Sequence, residues 1–387
     1  MIFTTIILPI GPHHPMLKEP AFFKVEVKGE RVVSADMKVG YSHRGIEGLA
    51  TRKTYHQNIF LCERVCGICS HCHSTCYCQT VEDLAEIEVP DRARYVRTIV
   101  AELERLHSHF LWFGVAMHVI GYDTAFMYMW KERENILQAI ETITGKRVNY
   151  AVNTIGGVRR DITPEIIPYL QAQLVKIHSA ASKIAEFVTE DSVIKARAKD
   201  VGVLDKNTAK KMCVVGPTAR ASGMELDIRK DDPYAAYSEL DWNIVTRPEG
   251  DVLARVLVRL GEIFQSINIT EQALRNLPKG EIALGEVQEF PTREAFDRIE
   301  AHRGELAYYI RSNGTNIPER VKIRTPSFMN NPALPSMLAG ESIADVLLIV
   351  ASIDPCYSCT DRAVVVEDTE KNRSFTTTLE KLARRRC

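Results

Sequence analysis

Over residues 22–39 apolar and polar side chains alternate, FFKVEVK and then RVVSADMKV, around a turn at Lys28-Gly29. A period of two puts one set of side chains on one face, which predicts a half-buried β hairpin. The opening MIFTTIILPIG reads as a further strand. From Asp91 the period changes: RARYVRTIVAELERLHSHFLWFGVAMHVIG keeps apolar residues three and four apart up to Gly121-Tyr122, which predicts one long helix. The same spacing returns over 125–144, 164–189 and 251–273, each bounded by Pro, Gly or Asp-type breakers. Past Glu281 the chain is strand-like around LAYYIRSNG and VKIRTP, and a short apolar helix, SIADVLLIVASI, precedes a final cysteine pair. The expected fold is mainly α with small β regions (α+β). An N-terminal β region over 1–45 leads into a central bundle of long helices over 46–275. A β segment with a cysteine motif follows over 276–362, completing a single domain, and 363–387 form an extension.

Charge and composition narrow the function. Lysine plus arginine (49) nearly cancels aspartate plus glutamate (50), so no global basic field exists to hold nucleic acid. No apolar run approaches the roughly 20 residues that span a bilayer, and the opening lacks a cationic segment or cleavage site, so a protein kept inside the cell is expected. Six of the ten cysteines crowd between Cys62 and Cys78, a pattern that suits metal or redox chemistry better than a disulfide framework.

Cys66-Gly67-Ile68-Cys69 and Cys356-Tyr357-Ser358-Cys359 are both C-x-x-C, a spacing that lets two thiolates meet one metal from a single turn. Together they offer four soft ligands, which reject magnesium and calcium. Spacing alone leaves zinc, an iron–sulfur cluster and nickel with iron open.

The flanking residues carry more. Gly11-Pro12-His13-His14-Pro15, Gly40-Tyr41-Ser42-His43-Arg44-Gly45-Ile46-Glu47, Glu63-Arg64-Val65 before the first pair, and Asp354-Pro355 with Thr360-Asp361-Arg362 around the second occur in that order. Between them stand Gly156-Gly157-Val158-Arg159, Gly216-Pro217, Arg220-Ala221-Ser222-Gly223, Arg303-Gly304-Glu305 and Val321-Lys322-Ile323-Arg324-Thr325-Pro326. From about residue 8 to 362 the chain resembles the large, catalytic subunit of nickel–iron hydrogenases, in the energy-converting, membrane-bound branch related to respiratory complex I. The resemblance implies that Cys66, Cys69, Cys356 and Cys359 bind nickel, with Cys69 and Cys359 bridging to an iron that carries cyanide and carbon monoxide. The complex I relative has lost these cysteine pairs, whereas this chain keeps both.

Around such a centre a proton acceptor must lie within reach of a cysteine sulfur. By resemblance Glu19 is that relay and Arg303 the cation over the open metal face. Read without the resemblance, they are a solvated glutamate and a surface arginine. Arg324 and Arg64 are expected to hold carboxylates or cyanide nitrogens in place. Glu47 matches a carboxylate that binds magnesium in many relatives, but Arg362 replaces the histidine used there; a Glu47–Arg362 salt bridge is expected instead of magnesium. Glu104, Arg105 and His109 are expected to pair across the bundle rather than to line a proton path. His71 and His73 are expected as donors to the site rather than ligands. Cys62, Cys72, Cys76 and Cys78 read as small buried hydrophobes rather than an extra cluster, and Cys213 and Cys387 carry no pattern.

The resemblance implies reversible, heterolytic cleavage of hydrogen, electrons exchanged with ferredoxin, and coupling to ion translocation. It further implies a small subunit with a [4Fe–4S] cluster, a ferredoxin-like iron–sulfur protein, membrane ion-translocating subunits and maturation factors as partners. The chain would then be peripheral, on the cytoplasmic face of the cell membrane. The extension, with Arg384-Arg385-Arg386 near its end, reads as a maturation peptide or a partner contact. Two alternatives are an electron-transfer or structural subunit of a complex I-like assembly, with zinc or nothing redox-active on the cysteines, and a sulfane-reducing subunit.

Overall fold

The computed structural model describes residues 5–285 and 287–360, together with the backbone of strands Val364–Asp368 and Arg373–Thr377. The N-terminal strand and hairpin are Thr5–Ile10, Phe22–Lys28 and Arg31–Lys38, which form an antiparallel sheet in chain order. The alternation sets the register: Phe23, Val25 and Val27 are buried while their neighbours are not.

The helix read from Asp91 runs Asp91–Ile120 and ends where Gly121 adopts φ 107°, a conformation that ends helices at no Cβ cost. It packs against Asp123–Thr144, Val252–Arg275 and Val346–Ser352. Asp251 starts Val252–Arg275 by accepting the Ala254 N–H at 2.7 Å. The helix expected over 164–189 is Ile167–Glu190, starting three residues late with Pro168 in its first turn, where a missing N–H costs nothing.

The second sheet joins Glu294–Ala301, Gly304–Arg311 and Arg320–Arg324 in antiparallel order. Ala301 pairs with Gly304, so His302 and Arg303 form the two-residue tip of a hairpin. Gly216 (φ 67°) and Gly304 (φ 126°) meet there. A Cβ on Gly216 would fall 2.4 Å from the Arg303 carbonyl oxygen, and one on Gly304 would fall 2.7 Å from the Gly216 nitrogen. Two glycines from distant motifs therefore let the backbone that carries Arg303 dock against the bundle.

Several helices escaped the periodic pattern, the longest of them beside the first cysteine pair. Ser70–Leu84, which begins at the first cysteine pair, is buried on nearly all sides. An apolar stripe needs a solvent face to contrast with, and this helix has none.

Candidate metal centre

Cys66 lies in the loop between helices Tyr55–Glu63 and Ser70–Leu84, and Cys69 is the residue immediately before the second. Cys356 and Cys359 bracket a 3₁₀ turn, Tyr357–Cys359, after helix Val346–Ser352. The tertiary fold brings the pairs together across 290 residues: Cys356 Sγ is 3.6 Å from Cys66 Sγ and 2.9 Å from Cys359 Sγ. All four are buried. Bonds from Cys356, Cys359 and Cys69 hold the Cys66 thiol well below its usual pKa, while bonds with Cys356, Cys66 and Cys69 push Cys359 well above. Four buried, soft, mutually close sulfurs, one of them held by its neighbours well below the usual thiol pKa, form a donor set for a thiophilic metal. Beyond the pairs, His73 offers a ring nitrogen within 4.8 Å of Cys69 and Cys359 sulfurs. His71 points elsewhere, its Nε2 bonded to the Arg97 carbonyl at 3.0 Å, and burial lowers its pKa to about 3.

Arg44, for which the sequence suggests no role, ties the two loops together. It donates to the carbonyls of Arg64 at 2.6 Å, Val65 at 2.7 Å and Ser358 at 3.1 Å. One guanidinium, with five donors in a fixed fork, thus spans both cysteine turns. The signal was present as a motif residue, but nothing in a sequence says which carbonyls an arginine will find. Arg44→Ala is expected to lower the nickel content of the purified protein several-fold, with Arg44→Lys recovering only part. Metal analysis alongside near-ultraviolet circular dichroism checks that the loops and not the whole fold have loosened.

Glu19 sits in the connection before strand Phe22–Lys28. Its carboxylate accepts the Ser358 N–H at 2.8 Å and hydroxyl at 2.5 Å, and Cys356 Sγ lies 4.0 Å away. The structure thus brings Glu19 to the second cysteine turn. It also borders an open cavity of about 400 Å³ lined by His13, His14 and Lys18. Arg303 is buried and forked onto Asp354 (2.9 and 3.1 Å), and Lys18 reaches the same carboxylate at 3.1 Å. Burial works against charge on Asp354, but Arg303 and Lys18 hold its pKa well below the usual carboxylate range. Asp354, visible in the sequence only as a flank of the cysteines, is what orients Arg303.

The remaining site candidates have partners of their own. Glu47 pairs with Lys322 Nζ at 2.5 Å and accepts the Ile323 N–H at 3.0 Å; Arg362, its expected partner, lies outside the described residues. This pair lines a cavity of about 430 Å³ that reaches Cys359. Arg64 is half exposed and donates to the Phe60 carbonyl at 2.7 Å, with the buried Glu63 carboxylate 3.9 Å from its guanidinium, while its backbone carbonyl accepts from Arg44. Arg324 does hold a carboxylate, that of Glu305. His109 pairs across the bundle with Glu262 at 2.8 Å, whereas Arg105 pairs within its own helix with Glu102 at 3.3 Å and reaches out only to the carbonyls of Glu300 and Ala301, and Glu104 turns to the cysteine side. Cys76 donates to the Asp297 and Leu306 carbonyls at 3.6 Å, and burial pushes the Cys62 thiol up to about 12. The extension over 363–387, with Cys387, lies outside the described residues apart from the backbone of its two antiparallel strands.

Comparison with known proteins adds the lineage. Residues 44–122 match the nickel-dependent hydrogenase family, and residues 119–290 and 282–362 match the respiratory-chain NADH dehydrogenase 49 Kd subunit family. The chain is 41% identical to the membrane-bound hydrogenase subunit alpha of Pyrococcus furiosus, over 94% of this chain and 89% of that one. It is 42% identical to the carbon monoxide-induced hydrogenase of Rhodospirillum rubrum, over 93% and 100%. The chain belongs to the large-subunit family of membrane-bound hydrogenases. This family shades into complex I: an NADH-quinone oxidoreductase subunit from Chloroherpeton thalassium is 36% identical over 92% of this chain and 88% of that one. The mainly helical fold with small antiparallel sheets is that expected for such a large subunit. Among its described residues no helix is long and apolar enough to cross a membrane.

Proposed function

We propose that this chain is the catalytic subunit of a membrane-associated nickel–iron hydrogenase, cleaving hydrogen heterolytically and reversibly and exchanging electrons with ferredoxin through a partner iron–sulfur subunit. The observation that carries the reading is the convergence of Cys66, Cys69, Cys356 and Cys359, all buried, in a chain 41–42% identical to two hydrogenases. The soft donor set fits the Ni–Fe(CN)₂(CO) centre that the family implies; all four cysteines would hold nickel, and Cys69 and Cys359 would also hold iron. When bound, such a centre supplies a Lewis acid with an open position, which weakens the H–H bond.

The chain's own residues manage the protons and the charge. Cys356, as a thiolate ligand, is the first base. Glu19, 4.0 Å from its sulfur, takes the proton onward, and the cavity lined by His13, His14 and Lys18 leads away from it. Arg303, fixed by Asp354, holds a positive charge in the buried site, where a cation favours separation of the hydrogen atoms' charges. The two electrons released by each hydrogen molecule leave through the partner's [4Fe–4S] cluster. Membrane subunits then couple the transfer to ion movement, with this chain docked at the cytoplasmic face.

Infrared spectroscopy of the purified complex tests the centre: bands from metal-bound carbon monoxide and cyanide are expected, and active protein without them would refute it. Glu19→Gln is expected to keep nickel and those bands while hydrogen–deuterium exchange falls roughly a hundred-fold. Exchange at the wild-type rate would remove Glu19 from the path.

A further inference from the structure

We propose that Glu104, with Cys72 and His302, forms a second proton-holding site, on the side of the first cysteine pair and apart from Glu19. The inference rests on the hydrogenase reading above. Three buried side chains from three separate elements meet there: Cys72 Sγ, a Glu104 carboxylate oxygen and a His302 ring nitrogen all lie within 4.8 Å of one another. Glu104 comes from the long helix, and its oxygens accept the His71 N–H at 2.7 Å, the Cys72 N–H at 3.0 Å and the Ser70 hydroxyl at 3.3 Å. It therefore closes the N-terminus of the helix that begins directly after Cys69. His302 comes from the hairpin tip, and its Nε2 faces Nη1 of Arg303 at 2.8 Å. A guanidinium only donates, so Nε2 accepts and the ring proton sits on Nδ1. That Nδ1 is buried and has no hydrogen-bond partner among the described residues. A donor left in this state costs free energy that a neighbouring carboxylate, direct or through one water, would recover.

Among the described residues no cation pairs with Glu104; the neighbouring Arg105 gives its guanidinium to the carbonyls of Glu300 and Ala301. Burial pushes the carboxyl up to about 7, against the bonds from His71 and Cys72, and negative charge on Cys66 adds to the rise. Cys66, Cys72, His71, His302 and the buried phenol of Tyr150 are the titratable groups around it. A carboxyl with these surroundings takes one proton as carboxylate and returns it as carboxylic acid, with no other bond made or broken. Each hydrogen molecule yields two protons, and a second acceptor lets one be held while Glu19 discharges the other.

Infrared difference spectra of the assembled complex between acid and alkaline pH, recorded in H₂O and D₂O, test this. A carboxylic-acid C=O band titrating near neutral pH and shifted in D₂O is expected in the wild type and in Glu19→Gln, and is expected to be absent from Glu104→Gln. Hydrogen–deuterium exchange in Glu104→Gln should slow roughly ten-fold, less than the hundred-fold or more of a sole proton carrier, because Glu19 remains. Cys72→Ala removes the thiol that donates to the carboxylate but keeps the helix cap, so the band's midpoint should move up by about half a pH unit. A band that persists in Glu104→Gln, exchange at the wild-type rate, or a second metal bound stoichiometrically through these three residues would overturn the proposal. If Glu104→Gln does not assemble, an unshifted midpoint in Cys72→Ala overturns it. The carbon monoxide and cyanide bands, read in the same spectra, test the metal centre separately: their absence from the wild type counts against the hydrogenase reading, while the carboxyl band still reports on Glu104.

Discussion

Cys66→Ser and Cys356→Ser proteins are expected to purify without nickel and to show no hydrogen-dependent dye reduction. Serine keeps the shape of cysteine and so leaves the packing nearly intact, but its hydroxyl does not ionise near neutral pH and is a poor partner for a soft metal. Cys66 is the most exacting position: bonds from the other three thiols converge on it and hold its pKa well below the usual thiol value. Cys356 is next, because it joins the two pairs at 3.6 Å and is the sulfur nearest Glu19. Nickel analysis and a dye-reduction assay decide the matter. Activity and nickel at wild-type levels in either variant would sink the four-cysteine centre and favour a complex I-type electron-transfer subunit.

The largest loss of stability is expected from Glu102→Ala. Glu102 is fully buried on the long helix and takes Arg229 at 3.1 Å, Arg105 at 3.3 Å and the hydroxyls of Tyr237 and Ser266 at 2.6 Å each. Asp227, Arg220, Glu262 and Glu300 extend the same network toward the Arg303 hairpin. Removing one partner strands buried guanidiniums, which costs about 3–5 kcal/mol. The acid dependence follows from the direction of the shift. Burial pushes the Glu102 carboxyl up, but Arg105 and Arg229 more than reverse this and leave its pKa below the ordinary glutamate value. A carboxylate depressed in the folded state contributes stability that is present above its unfolded pKa and lost as pH falls through the folded one. Chemical-denaturation midpoints should therefore separate wild type from Glu102→Ala most at neutral pH and converge on acidification. A constant difference down to strongly acid pH would contradict this account.

Local periodicity decided the β start and the four long helices, because each has one face toward the core and one toward solvent, and that contrast is written residue by residue. Covalent spacing made each C-x-x-C pair readable, because two ligands within one turn are fixed by it; that both pairs share one site with Glu19 and Arg303 was implied only by the resemblance. What the sequence left undecided is whatever depends on residues hundreds of positions apart. Helix Ser70–Leu84 is rich in polar residues and has no apolar stripe to betray it, so only its burial among the sheet and the long helix makes sense of its composition. Lys322 meets Glu47, and Arg44 clamps both cysteine turns, because strand register and loop approach choose which donor faces which oxygen. Glu104 shows the difference most clearly. On the helix it is four residues from Ser108 and one from Arg105, and the sequence offers it a place in the bundle's ion pairs. The fold turns it instead to the N-terminus of the cysteine helix, where burial raises its pKa to about 7 against the bonds from His71 and Cys72. The sequence by itself determined which residues are present to hold metal and protons; the tertiary structure decided which charges are paired, which are buried alone, and hence which of them can change protonation at neutral pH.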